Sequence, residues 1–458
     1  MNDITAFFDF LKYCLGSKGD VSRVIAGMNW QELYSFASKQ AILGLCFDGI
    51  ERLGEEYREE LRLNPIEREL LMTWMGKAHQ ISRQNRKVNA VAGKLFSMLK
   101  KDGLRCCVLK GQGNALMYSN PYSRTPGDID VWVNASREEI TEYAKRHFNL
   151  EDDIRFHHLE TTMDGVPVEL HFFPGIMNNP IYNARLQKWF KRNADLQCSN
   201  VVSLPDGIGE IAIPTTAFNV IYQLTHLYHH FFDEGIGMRQ IIDYFLVVND
   251  FSKKVFLNND LSNHPVNFSN HPVPLSKEGS TFSPSPSSSG SGDVTAPSRC
   301  SEPLRSKDGG PSKVSPDCAG WDRLAIEEDN SVGSTTVVTS SAFTALVVVQ
   351  RELKYLGLWK FAGAVMYVLH EALGLSEEKM IAPMDKKRGK LLLAEILNGG
   401  NFGKHFTKYG HFTQQGMAKK YFLKIWRNMH FVRYFPAEAL SEPIFRTWHF
   451  FWRLKHRR

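Results

Sequence analysis

Two aspartates, Asp128 and Asp130, stand two positions apart in the run Gly127-Asp128-Ile129-Asp130-Val131-Trp132-Val133. On a strand, residues i and i+2 share a face, so the two carboxylates converge while Ile129, Val131 and Val133 pack behind them. Carboxylates about 4 Å apart repel by roughly 4 kcal/mol at an effective dielectric of 20, so the pair calls for a cation or an arginine between them. The competing reading is a turn built on Gly127-Asp128, since DxD alone is common. Glu169 weighs against the turn. In VPVELHF the apolar Val166, Val168 and Leu170 alternate with Pro167, Glu169 and His171, which puts Glu169 on the face away from the apolar stripe. Three carboxylates on adjacent strands make the hard-oxygen set that holds Mg2+ (or Mn2+) together with substrate phosphates.

Groups suited to an anion lie close by. An apolar run, LRCCVL (104–109), ends at Lys110-Gly111-Gln112-Gly113 and a short helix follows. Glycines let backbone approach a ligand, and a helix start presents unpaired N–H groups to a phosphate. Lys110 adds a positive charge, and Arg124 can reach a phosphate in the same pocket. His171 shares the face of Glu169, where it orients a carboxylate, contacts nucleotide or is a structural histidine. Arg239 and Asp243 have i, i+4 spacing, which suits an intrahelical ion pair. The other reading points Arg239 at the phosphates. His226, His229 and His230 have the i, i+3, i+4 spacing of zinc ligands but no clear fourth partner.

These groups need elements to position them. Asn64-Pro65 predicts a helix start, with Asn as N-cap and Pro at the first position. Apolar residues then recur at Leu70, Trp74, Val88, Ala92, Leu95 and Leu99, and Gly103 supplies the stop. Strands are expected at 104–109 and 127–133, and a helix at 138–148. IRFHHLETTM, Asp164-Gly165 and VPVELHFF read as a hairpin, because Asp-Gly between alternating runs is a strong turn signal. After Pro214 the pattern is helical again. Residues 255–340 carry SPSPSSSGSG and no periodicity, so a disordered Ser/Pro-rich insertion is expected there. The reading is an α+β protein with a small mixed sheet, helices before it and a helical domain after it.

Composition narrows the class. Of 458 residues, 43% are hydrophobic and 23% charged, which excludes wholesale disorder. The net charge of +6 is uneven: Lys419 to Arg458 alone carry ten Lys/Arg and two Glu, so the basic character belongs to the end of the chain. That segment also holds Trp426, Trp448 and Trp452, expected to be buried by packing rather than displayed to RNA or a membrane. The start, with Asp3, does not read as a secretory leader, and no apolar run reaches 18 residues. Seven cysteines without a CxxC pair fit a reducing cytoplasm.

LKGQGNALMYSNPYSRTPGDIDVWV with VELHF resembles the bacterial nucleotidyltransferase-like proteins of the DNA polymerase β superfold, and GIGMRQIIDYF is similar to their helical domain. The likeness covers roughly 65–250, with weaker support at ILNGGNFG (396–403). Lys110-Gly111 stands where most of the wider superfamily has Gly-Ser or Gly-Gly. The resemblance implies a nucleotidyltransferase core over 64–210, an N-terminal helical region over 1–63 and a helical domain over 211–254 and 341–458. It further implies Asp128, Asp130 and Glu169 as the metal triad, with an NTP, ATP foremost, and an unidentified acceptor as substrates. A metal-dependent glycosyltransferase using the DxD, or a non-catalytic regulatory or toxin–antitoxin protein keeping the fold, are the alternatives.

Overall fold

The computed structural model describes residues 3–150, 155–257, 335–406 and 417–456. Five helices open the chain: α1 (Asp3–Cys14), α2 (Ser22–Ala26), α3 (Trp30–Lys39), α4 (Leu43–Glu56) and α5 (Arg58–Leu63). The long α6 (Arg68–Lys101) follows and leads into β1 (Cys106–Val108) and the short α7 (Gln112–Ala115). Next come β2 (Ile129–Val133), α8 (Arg137–His147), β3 (His158–Met163) and β4 (Val166–His171). After α9 (Pro180–Ser199), the strands β5 (Val201–Ser203) and β6 (Glu210–Ala212) form a separate ribbon. The remaining helices are α10 (Thr216–Asp233), α11 (Met238–Leu257), α12 (Thr335–Tyr355), α13 (Trp359–Leu373), α14 (Lys386–Gly399), α15 (Met417–Met429) and α16 (Pro436–His456). The architecture is the expected α+β one. The disordered insertion expected at 255–340 falls largely on 258–334, outside the described residues.

The main sheet has the order β1-β2-β4-β3, with β2 and β4 parallel and both outer pairs antiparallel. Strand β2 is buried on both faces. Ile129, Val131 and Val133 join the core beneath α6 and α8, while Trp132 enters the larger helical core and stacks on Phe218 at 6.2 Å. That larger core also holds Phe10, Leu33, Phe231 and Phe361, so the N-terminal helices share one interior with α10 and α13. Helix α6 serves both cores, through Leu70 and Trp74 at one end and Val88 to Leu99 at the other.

The start of α6 differs from expectation. Asn64 does not cap it; its carboxamide donates to the carbonyls of Ile25 (2.8 Å) and Met28 (2.9 Å), and the helix begins only at Arg68. Two distant carbonyl acceptors win the Asn64 side chain, so Asn64-Pro65 closes α5 rather than opening α6.

The basic aromatic end also departs from expectation. It packs, through the buried Phe431 and Phe435, but Trp426 and Trp448 remain 49% and 44% exposed. The inward face of α15 is polar. Arg427 donates to the carbonyl of Phe231 (2.8 Å), Asn428 to that of Phe232 (3.0 Å), and Lys424 pairs with Asp233 at 2.9 Å. The Phe231 and Phe232 carbonyls are among the last of α10, which have no partner within their own helix. An arginine and an amide satisfy them, so the apolar stripe of Phe422, Trp426 and Met429 turns outward. Among the described residues, no helix is long and apolar enough to cross a membrane.

Candidate active site

The register of two strands builds the centre. Across the parallel pair Asp130 lies opposite Glu169, and across the hairpin Glu160 lies opposite Glu169 and His158 opposite His171. Asp130 is 3% exposed, being held between the two cores. Lys110, immediately after β1, brings its ammonium 3.1 Å from Asp130 and 2.7 Å from Nε2 of His226, which stands 3.0 Å from His230. Nε2 of His171 lies 3.1 Å from both Asp130 and Glu169. Opposite charges at about 3 Å attract by roughly 5 kcal/mol at an effective dielectric of 20, enough to set protonation states.

Burial alone would raise the Asp130 carboxyl, but Lys110 and His171 outweigh it and hold it well below the usual range. Burial likewise disfavours the imidazolium of His171, yet its hydrogen bonds to Asp130 and Glu169 carry it up to about 9. Glu169 is lowered, burial being outweighed by His171, and Lys110 is raised against burial by Asp130, Asp128 and Glu169. Asp128 goes the other way. The charge of Asp130, followed by burial, pushes it up to about 6. Asp130, Glu169 and His171 place ligand atoms within 4.8 Å of one another, whereas Asp128 stands outside that group but lines the same cavity. Oxygen donors from two in-register carboxylates, with a third carboxylate held close to the charge of Asp130, fit a hard divalent cation.

The adjoining pocket is lined by Lys110, Gly111, Asn114, Arg124, Asp128 and Arg239, together with Phe402. Gln112 and Gly113 turn away: the Gln112 amide bonds to Asn89 on α6, and Gly113 packs against Ile213. Arg124 lines the pocket, but its guanidinium is held in a fork by Asp243 at 2.9 and 2.7 Å, and Tyr118 donates to the same carboxylate at 2.8 Å. The intrahelical pair expected between Arg239 and Asp243 is therefore replaced by a pair between Asp243 and the distant Arg124, which occupies both carboxylate oxygens. Arg239 donates to the Thr125 carbonyl at 3.1 Å, keeps a buried Nε without a hydrogen-bond partner, and stands 5.4 Å from the Phe402 ring. Burial and neighbouring Arg124 pull it down to about 10. An anion in this pocket would relieve that strain.

The uncharacterised nucleotidyltransferase family matches residues 26–262. The chain belongs to that family. No curated protein and no solved structure matches the chain of this nucleotidyltransferase family member.

Some residues of the site escape the sequence reading. Asp243, as the partner of Arg124, is 119 positions away and carries no local signal. Phe402 sits in a loop with φ +54, where glycines bring two segments together: a Cβ on Gly403 would lie 1.9 Å from the carbonyl of Glu234. His158 and Glu160 did have a signal, since the turn at Asp164-Gly165 sets which residues face His171 and Glu169.

Proposed function

We propose that this nucleotidyltransferase family member moves a nucleoside monophosphate from an NTP, ATP foremost, to an acceptor hydroxyl. The new bond joins the acceptor oxygen to the α-phosphorus, the bond to the β-phosphate oxygen breaks, and pyrophosphate leaves. The observation that carries this reading is the in-register pair of buried Asp130 and half-buried Glu169, with Asp130 also lining the pocket that holds Lys110 and Arg239. Mg2+ (or Mn2+) on Asp128, Asp130 and Glu169 would supply charge neutralisation for the triphosphate. Arg239 binds phosphate from the side of the helical layer, because its guanidinium is only partly partnered. Lys110 balances charge as pyrophosphate departs, and Gly111 lets the chain come close to the nucleotide. Arg124 acts at one remove, by fixing Asp243 and the loop that precedes Asp128.

His171 orients both carboxylates through one ring nitrogen, which keeps them from splaying apart under their mutual repulsion. The five described cysteines, Cys14, Cys46, Cys106, Cys107 and Cys198, are buried free thiols, which supports work in the reducing cytoplasm. The test is incubation with each α-32P-labelled NTP, Mg2+ and cell extract. Label transferred to an acceptor by the native chain and not by Asp130→Asn supports the reading. Equal transfer by the two overturns it.

A further inference from the structure

Beside the carboxylates, one cavity of about 350 Å3 is lined by six histidines: His157, His158, His171, His226, His229 and His230. Nucleotide chemistry accounts for few of them. We propose that His157, His158 and His171 form a nitrogen-rich site for a metal ion of the Zn2+ class, with Glu169 as a carboxylate shared with the aspartate site. This inference uses the same cavity but does not depend on nucleotidyl transfer.

One nitrogen from each of the three rings lies within 4.8 Å of the others. The ring centroids stand 4.3 Å (His157–His158), 5.0 Å (His158–His171) and 5.7 Å (His157–His171) apart. Three imidazoles on one tetrahedral ion, with bonds of about 2.0–2.1 Å, have centroids about 5 Å apart. Glu169 Oε2 lies 3.2 Å from Nδ1 of His158, close to the edge of about 3.3 Å that such a tetrahedron requires, while Nε2 of His171 stays with Asp130 and Glu169 and leaves Nδ1 as its other nitrogen.

Two further observations point to a ligand. Nδ1 of His157 and Nδ1 of His171 are buried without hydrogen-bond partners, an arrangement that costs stability unless something fills the space between the rings. The far nitrogen of His158, Nε2, lies 3.1 Å from Glu160, which is itself paired with Arg155 at 2.7 Å. A carboxylate that takes the N–H of one ring nitrogen and frees the other for a cation is the usual support of a metal-binding histidine. Imidazole donors favour Zn2+, Co2+ and similar ions, whereas Mg2+ keeps oxygen ligands and water. Three histidines and the shared carboxylate supply the four ligands of a tetrahedral site, the coordination that Zn2+ favours.

The test uses the full chain, stripped with a chelator and titrated with Co2+, whose four-coordinate form has intense visible bands, and with Zn2+. Bound metal is counted by mass spectrometry after gel filtration. One equivalent of Co2+ with the four-coordinate spectrum, retained in excess Mg2+ and retained by Asp128→Asn, is expected. His158→Ala and His157→Ala each bind at least tenfold more weakly, and Glu160→Gln is intermediate. If His158→Ala does not melt cooperatively, His157→Ala decides. Absence of uptake, displacement by Mg2+, or uptake unchanged in the histidine variants overturns the proposal. Label transfer with Mg2+ by a chain that takes up no Co2+ overturns this inference and leaves nucleotidyl transfer standing. Co2+ uptake without label transfer supports the site and counts against nucleotidyl transfer instead.

Discussion

Asp130 lies between Lys110 and His171, whereas Asp128 is dominated by the charge of Asp130, so equal substitutions at the two should differ in stability. Repulsion within the pair, considered alone, makes either asparagine harmless or stabilising. The buried contacts reverse this for Asp130. Asp130→Asn leaves the buried His171 and the half-buried Lys110 short of an anion and should lower stability by about 3–5 kcal/mol. Asp128→Asn should melt no lower than the native chain at pH 8, because the ionised Asp128 is the unfavourable form above about 6. Differential scanning fluorimetry at pH 8 separates the two, and label transfer should be lost in both. The arginines split in the opposite sense. Arg124→Gln breaks a buried fork to Asp243 and should cost about 3–5 kcal/mol, whereas Arg239→Gln should change melting little and weaken NTP binding at least tenfold. Isothermal titration with a non-hydrolysable NTP checks the second half. Equal binding by Arg239→Gln removes it from the phosphate site.

The β3–β4 hairpin turns on Asp164 and Gly165, with φ of +51 and +72, the left-handed pair that matches strand twist. Counting outward from that turn pairs Glu160 with Glu169 and His158 with His171, so this half of the site was legible in the sequence once the turn was found. The helix and strand assignments rested on period and caps, and they hold where the deciding contacts are local, as in the Ser136–Glu139 capping box of α8. They fail where a distant group wins. Asn64 looks like a cap by spacing but bonds across 36 and 39 residues, and Asp243 looks like the partner of Arg239 but bonds across 119. Gly165→Val places a branched side chain at positive φ and should cost about 1–2 kcal/mol. The loss should come with weaker Co2+ uptake, because the histidine pair depends on the same register. Unchanged uptake in a folded Gly165→Val chain would separate the metal site from the turn.

At the scale of the molecule, α16 is anchored by a buried carboxylate. Glu438 accepts from the backbone N–H of Asn178 and Asn179, yet burial pushes it up to about 7. Below about 4.5 the group is protonated in both folded and unfolded chains. Between there and about 7 only the folded chain keeps the proton, so its contribution to stability falls as pH rises through that window. The loss is on the order of 3 kcal/mol, and Glu438→Gln should flatten the melting profile between pH 5 and 7.5. The outward Trp426 and Trp448 give a further check: both should be quenched readily by acrylamide while the chain stays folded. The crossing of two glycine loops has a separate consequence. Gly237 and Asn401 meet backbone to backbone, and Gln40 bonds both to the N–H of Met238 and to the carbonyl of Ile396. The family match ends at 262, but the wall bearing Phe402 comes from 140 residues further on. A fragment cut at the edge of the recognisable family would thus be a vessel missing one side, and its failure to retain nucleotide would say nothing against the chemistry of the whole chain.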